Sequence, residues 1–179
     1  VHAYGSTHRE GNLDISTSGE FGNFKTLLSG NLYHFDHFMD HNNDGFADTP
    51  LTTKMALFNK WKYRFGEEQS AELAVKYYNE ERLGGVEEFT HKLRGSSEVY
   101  GESIYTERFE ALSRINTVVW GEELNVKVSY SYHNQDSYYG DYHYRANQNN
   151  LYADVVWYEE WNDRIDRIRN GDYQPEDIV

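Results

Sequence analysis

Residues 53–65 read TKMALFNKWKYRF, and this stretch decides the fold. Its odd positions are mainly apolar or aromatic: Met55, Leu57, Trp61, Tyr63 and Phe65. Its even positions are mainly basic: Lys54, Lys60, Lys62 and Arg64. Successive side chains of a β-strand point to opposite faces. The stretch therefore predicts a strand with one apolar and one basic face.

The same alternation recurs along the chain. Five further stretches alternate between apolar and polar side chains: residues 13–17, 70–77, 108–119, 123–132 and 151–157. Helical periodicity is hard to find. The pattern predicts an all-β fold of about eight antiparallel strands, connected up and down in chain order.

The composition narrows the class of protein. The 179 residues include 16 Tyr, 9 Phe and 4 Trp, which is too much ring surface for a disordered chain. The formal net charge of −13 argues against nucleic acid as a partner, because phosphate contacts need a basic surface. With no Cys, the chain has no disulfides, thiolate metal sites or Cys nucleophiles. No apolar run approaches the roughly 18 residues of a membrane helix.

The predicted connections are of two kinds. Three short turns each begin with an aromatic residue followed by Gly: Phe21-Gly22-Asn23, Phe65-Gly66-Glu67-Glu68 and Trp120-Gly121-Glu122-Glu123. Long polar excursions occupy residues 38–51, 80–102 and 133–149. Short periplasmic turns, long extracellular loops and aromatic girdles are typical of outer-membrane barrels.

We therefore predict an antiparallel up-and-down transmembrane β-barrel over residues 1–160. The predicted girdle at the short turns contains Phe21, Phe65 and Trp120. Residues 161–179 lose the alternation and are predicted to form an exposed loop or flexible tail. The alternative for the alternating stretches is a soluble antiparallel sheet with one face in water.

The first long excursion predicts a calcium site. Oxygen ligands occur at loop positions 1, 3, 5 and 9, and position 7 would offer a carbonyl: Asp40, Asn42, Asp44, Asp48 and Phe46. Gly45 at position 6 permits a sharp turn, as in an EF-hand. Leu51 stands at position 12 in place of the bidentate Glu, so further ligands would come from Asp36, water or another loop. The alternative is a plain Asn/Asp/Gly turn.

Aromatic residues crowd the third long excursion and its flanks. They predict a surface for a substrate or partner: Tyr132, His133, Tyr138, Tyr139, Tyr142 and Tyr144. Tyr offers ring area and a polar tip at low entropic cost. The alternative is cross-strand packing in strands that extend past the membrane.

Other polar residues have less specific interpretations. The basic positions of residues 53–65 are expected to pair with carboxylates such as Glu72 across strands. The histidines His34, His37 and His41 suggest a transition-metal or haem site, with solvated polar residues as the alternative.

No catalytic motif is present in the sequence. We found no nucleophile elbow, Walker loop or HExxH pattern. The adjacent acids Glu80-Glu81 and Glu87-Glu88 would point to opposite faces of a strand, which does not suit acid/base catalysis. The sequence therefore predicts a protein that is not an enzyme.

Five stretches resemble the barrels of TonB-dependent outer-membrane receptors, particularly the vitamin B12, haem and siderophore receptors of Bacteroidetes-type bacteria. They are residues 12–16 (NLDIS), 40–48 (DHNNDGFAD), 57–61 (LFNKW), 76–85 (KYYNEERLGG) and 138–142 (YYGDY). The resemblance implies uptake of cobalamin, haem or a ferric siderophore across a bacterial outer membrane. It also implies a plug domain, the TonB energy-coupling complex and a surface lipoprotein as partners.

The chain departs from such receptors in size. These barrels have about 22 strands around a plug, whereas this chain supplies about eight. No plug, TonB box or terminal aromatic signature is present in the 179 residues. We therefore expect an interior section of a larger barrel. The alternatives are a soluble calcium-binding β-rich recognition domain and a complete small outer-membrane barrel.

Overall fold

The computed structural model describes residues 1–158. Eight strands form one sheet: His2–Gly5 (β1), Glu10–Phe21 (β2), Phe24–Phe35 (β3), Leu51–Arg64 (β4), Ser70–Gly85 (β5), Gly101–Val119 (β6), Glu122–Tyr139 (β7) and Tyr142–Tyr158 (β8). A 3-10 helix, His91–Leu93, lies between β5 and β6. Each strand pairs antiparallel with its neighbours in sequence. The predicted all-β, up-and-down arrangement is confirmed, whereas the prediction for residues 161–179 lies outside the described residues.

The sheet is open. Within residues 1–158, the strand order runs from β1 to β8 without a pairing that joins the two outer strands. β1 has four residues and β8 has 17. β8 is therefore a long edge strand whose outer backbone groups have no strand partner in this part of the chain.

The two ends of the sheet differ in their connections. At one end, which we call the short-turn end, the connections are residues 22–23, 65–69 and 120–121. At the other, the loop end, two short connections at 6–9 and 140–141 accompany two long ones. We call residues 36–50 the aspartate loop and residues 86–100 the arginine loop.

The prediction of a long polar excursion at residues 133–149 is wrong. β7 and β8 continue through this stretch, and only Gly140 and Asp141 connect them. Gly140 has φ 62°, the left-handed conformation that a tight hairpin turn requires. The side chains here are polar on both faces, so the alternation disappears although the backbone ladder persists. The connection predicted at residues 80–102 is shorter in the structure than in the prediction, because β5 extends to Gly85.

The register sorts the side chains onto two faces. Directly paired residues share a face, and one such row is Ile15, Gly30, Leu57, Tyr77, Phe109 and Tyr132. A row on the opposite face is Glu20, Lys25, Lys62, Glu72, Arg114, Lys127 and Asp154. We call these the apolar face and the polar face.

The sheet is a single layer with little interior. Among the described residues, the buried apolar side chains are Phe35, Leu83 and Phe89. Most of the remaining large apolar side chains are partly or largely exposed. No helix within residues 1–158 has the length and apolar composition needed to cross a membrane.

Candidate functional site

The apolar face is exposed over most of its area. Leu28 and Leu57 are about half exposed, and Leu151 on β8 retains 76% of its accessible surface. Removing an aliphatic side chain of this size from water is worth about 1.5–3 kcal/mol. Such a continuous apolar surface indicates an apolar environment or partner.

An aromatic rim closes the apolar face at the short-turn end. Trp120 is 88% exposed, and its ring centroid lies 5.7 Å from that of Trp157. Tyr63 and Phe65 stack at 6.2 Å, and Phe21 is also exposed. Trp120 occupies the left-handed region with φ 55°, which is unusual for a bulky residue. The turn therefore presents this indole outward despite a strained backbone.

The polar face carries the cross-strand ion pairs predicted for residues 53–65. Lys60 and Lys62 each place Nζ 2.9 Å from a Glu72 carboxylate oxygen. Arg64 lies 4.0 Å from Glu20, while Lys54 lies over the Tyr33 ring. The predicted pairing with Glu72 is confirmed.

Two cavities open on the polar face. One of about 350 Å³ lies beside Asp14, Asn31 and Phe58. The other, of about 340 Å³, lies over β5 to β8 and is lined by side chains such as Lys76, Arg108, Glu110 and Tyr152. Both cavities therefore lie among side chains of the polar face.

The aspartate loop folds on its own side chains. Asp40 accepts hydrogen bonds from the backbone N–H groups of Asp44 and Gly45, at 3.2 and 2.8 Å. Asp44 accepts one from the N–H of Phe46 at 2.9 Å, and its other oxygen accepts one from the Asn42 amide. Asn43 and Gly45 have positive φ of 57° and 85°. These side-chain to backbone bonds are those of Asx turns.

Asp48 is bound separately from the rest of the motif. Its Oδ2 accepts hydrogen bonds from the backbone N–H of His41 at 2.8 Å and from His41 Nδ1 at 2.9 Å. These bonds lower the pKa of Asp48 below its usual range. Within residues 1–158, no group of three or more His, Asp or Glu is arranged to hold a metal ion. The oxygen donors of the motif still suit a hard cation, because each carboxylate has about four acceptor positions.

The arginine loop is fixed by one side chain that sequence reasoning missed. The Arg94 guanidinium lies 4.2 Å from the Tyr105 ring centroid and 4.6 Å from that of Tyr138. Its Nε donates to Ser103 Oγ at 2.8 Å, and Nη2 donates to the carbonyl oxygen and the carboxylate of Asp136. We call this set of contacts the Arg94 clamp.

Asp136 is the anionic centre of the clamp. Arg145 Nη2 lies 3.1 Å from Oδ2, and His143 Nε2 lies 3.4 Å from Oδ1. Partial burial raises the pKa of Asp136, but the hydrogen bonds from Arg94, Arg145 and His143 outweigh that effect and lower it. The loop also packs Phe89 directly over Gly101, where a Cβ would overlap the ring.

The predicted aromatic surface is divided between the two faces. Tyr132 and Tyr138 lie on the apolar face, where Tyr138 stacks on His143 at 4.4 Å. On the polar face lie His133, Tyr139, Tyr142 and Tyr144. Tyr139 and Tyr142 are directly paired across the turn. The predicted residues therefore form two groups, one on each face, and the sheet lies between the two groups.

The histidines of the first loop region are also dispersed. His34 contacts Thr53 Oγ1 at 3.0 Å, and His41 contacts Asp48. His37 lies with its ring 5.4 Å from that of His8. The predicted His34, His37 and His41 site is therefore not gathered into one cluster in the structure.

No family model, curated protein or solved structure matches the chain.

Proposed function

We propose that this chain forms a section of the wall of a TonB-dependent receptor barrel in a bacterial outer membrane. The observation that carries the proposal is the division of one long-stranded sheet into an exposed apolar face and an ion-paired polar face. In this arrangement the apolar face contacts lipid and the polar face lines a wet lumen. The remaining strands and a plug domain are then the nearest partners.

Strand length supports the membrane assignment. β2 to β8 contain 12 to 19 residues each, whereas a soluble strand usually has about five or six. A tilted transmembrane strand needs about 9–11 residues. On β7 the apolar-face positions are apolar or aromatic from Leu124 to Tyr132, about 26 Å at 3.3 Å per residue. Asn134 and Asp136 follow on the same face, as expected where a strand leaves the bilayer.

The open sheet favours a section of a larger barrel over a complete small one. A closed eight-stranded barrel needs its first and last strands to pair. Within residues 1–158, β1 and β8 are the two outer strands of the sheet and do not pair with each other. The outer edge of β8 is accordingly the place where we expect the next strand of the barrel.

Detergent dependence tests the membrane assignment against the soluble recognition domain. We expect the folded chain to remain monodisperse in detergent micelles and to aggregate when the detergent is removed, because nothing within residues 1–158 covers the apolar face. Size-exclusion chromatography with light scattering, combined with circular dichroism, measures both states. A folded, monodisperse protein in plain buffer would refute the membrane proposal.

Tryptophan depth gives a sharper test. Trp61 lies on the apolar face one paired row inside Tyr63, whereas Trp120 lies in the turn at the end of the sheet. Variants that keep one of these tryptophans and replace the others by Phe are reconstituted with lipids brominated at different acyl positions. We expect mid-chain bromines to quench Trp61 more strongly than Trp120. Equal quenching of the two residues would contradict the proposed orientation.

The proposed cargo is a scarce nutrient such as cobalamin, haem or a ferric siderophore. Uptake in this class depends on the TonB energy-coupling complex, and a surface lipoprotein is a further proposed partner. The proposal requires that the full reading frame encode a plug and a TonB box. Uptake of each labelled cargo by cells with and without the intact gene, in strains with and without TonB, identifies the transported compound. Uptake that persists without TonB would contradict the assignment.

We also propose that the aspartate loop binds Ca²⁺ through Asp40, Asn42, Asp44, Asp48 and the Phe46 carbonyl. The supporting observation is the convergence of the first three side chains on one turn. Bound calcium would compete with His41 for Asp48. Isothermal titration calorimetry should show Ca²⁺ binding that Asp40→Asn weakens and that Asp141→Asn, an equal charge change in the β7–β8 turn, leaves intact. An absence of heat in the unaltered protein would rule the site out.

A further inference from the structure

The charges of the polar face are unevenly distributed along the strands. The outermost row at the loop end carries one acid, Glu102. In the next four rows, one basic side chain accompanies one acidic side chain: Glu10 with Arg82, Lys54 with Glu80, Asp14 with Arg108, and Lys76 with Glu110. Each of these rows is therefore electrically neutral.

Three rows nearer the short-turn end carry a surplus of positive charge. Their six basic side chains, which we call the basic belt, are Lys25, Lys60, Lys62, Arg64, Arg114 and Lys127. The same rows contain three acids: Glu20, Glu72 and Asp154. Beyond them on this face, Glu123 lies at the start of β7. A positive excess inside a chain of net charge −13 is a specific feature of this surface.

All three acids are already paired within the belt: two are each shared by two cations, and Asp154 lies 3.5 Å from Lys127. Glu72 pairs with both Lys60 and Lys62, and Glu20 lies 2.8 Å from Lys25 and 4.0 Å from Arg64. Arg114 lies directly opposite Glu72 and Lys127 in the register and is exposed. Its side chain makes no hydrogen bond or ion pair within residues 1–158. Among the described residues, Arg114 is thus the belt cation without an acidic partner, and the other five share three carboxylates. The positive excess of the belt is therefore available to an incoming anion.

The belt is extended rather than focused on one point. Lys25 on β3 and Lys127 on β7 are four strand spacings apart, about 19 Å at about 4.8 Å per spacing. A single carboxylate or phosphate reaches cations on one or two neighbouring strands. An extended polypeptide of about six residues spans the whole distance at about 3.3 Å per residue.

We infer that the basic belt binds an extended acidic polypeptide segment that lies across the strands on the polar face. Carboxylates spaced along such a segment match the cations of successive strands. The neighbouring cavity beside Lys76 and Arg108 provides space above the sheet next to the belt. The location inside a barrel rests on the proposed function, whereas the charge pattern does not.

Binding of fluorescein-labelled hexaglutamate to the full chain, in the detergent or buffer in which it folds, tests the inference. We expect saturable binding, measured by fluorescence anisotropy, that weakens as salt rises. Lys62→Gln combined with Arg114→Gln should lower the affinity about tenfold or more. The matched control, Lys54→Gln with Arg82→Gln, removes two charges from neutral rows that do not line the neighbouring cavity and should lower the affinity by less than about threefold.

Three outcomes would overturn the inference. One is an equal loss of affinity in the belt variant and the control, and another is an absence of saturable binding by the unaltered chain. The third is tighter binding of hexametaphosphate than of hexaglutamate, which would assign the belt to phosphate polyanions. Circular dichroism of each variant confirms that the sheet is folded. A chain that folds without detergent but binds hexaglutamate would refute the proposed membrane function and leave the belt assignment standing.

Discussion

The two long loops at the same end of the sheet are held in different ways. The aspartate loop is stabilised by contacts within itself, such as Asp40 with Gly45 five residues away. The arginine loop depends on the Arg94 clamp, which reaches Asp136, 42 residues further along the chain. The loops meet where Phe46 forms a β-bridge with Val86 and contacts the Tyr100 ring. One loop is thus ordered by local turn chemistry and the other by tertiary contacts.

The largest expected effect comes from Arg94→Ala. This change removes the guanidinium from two rings and leaves the partly buried Asp136 with fewer partners. The free energy that holds the arginine loop on the sheet should fall by about 2–4 kcal/mol. Limited proteolysis within residues 86–100 should accelerate at least about thirtyfold if cleavage follows local opening.

Two further variants sharpen this test of the clamp. Arg94→Lys keeps the charge but loses the planar, multiply bonding group, so its effect should be intermediate. Lys92→Ala removes a charge from an exposed position of the same loop and should leave proteolysis nearly unchanged. Comparable acceleration by Lys92→Ala and Arg94→Ala would show that loop charge, rather than the clamp, controls docking.

Acid should release the arginine loop by protonating Asp136. The lowered pKa means that the carboxylate form is favoured in the docked state. The contribution is complete above the ordinary Asp pKa of about 3.9 and is lost as the pH falls through the lowered value. Hydrogen exchange of residues 86–100 between pH 6 and pH 2.5, corrected for intrinsic rates, measures the release. Asp136→Asn should remove this pH dependence.

A smaller effect is expected from Asp40→Ala. Two hydrogen bonds to backbone N–H groups are lost from an exposed turn, which should cost about 1–2 kcal/mol of local stability. Exchange of the Asp44 and Gly45 amide protons should accelerate, while that of the arginine loop stays near its original rate. Asp36→Ala removes the same charge from the same loop and serves as the control. Equal effects of the two substitutions would contradict a specific role for the Asx turn.

The comparison also explains what the sequence could predict. The turn at Asp40 to Gly45 was recognisable because its contacts lie within a few residues of one another. Alternation predicts the strands where one face is apolar. It does not predict the strands at residues 133–149, because polar side chains occupy both faces there. Backbone hydrogen bonds between β7 and β8 stabilise that region, and such bonds do not require particular side chains.

The Arg94 clamp could not be located from sequence patterns. Arg94 is one basic residue in a polar loop, and its partners Ser103, Tyr105 and Asp136 come from two different strands. Only the register of β6 and β7, which pairs Tyr105 directly with Asp136, places them side by side. The Tyr138-Tyr139-Gly140-Asp141-Tyr142 stretch did contain a hairpin signal, since Gly followed by Asp suits a two-residue turn.

The strand order has a consequence for how the chain folds. Every strand of the sheet pairs with the strand that precedes or follows it in sequence. The sheet can therefore grow by adding one hairpin at a time, and each step closes only the short chain segment between two neighbours. Low contact order of this kind favours rapid formation of each pair. The β2–β3, β6–β7 and β7–β8 hairpins each have a two-residue turn. They therefore share the smallest loop-closure cost among the strand pairs and are natural starting points for that growth.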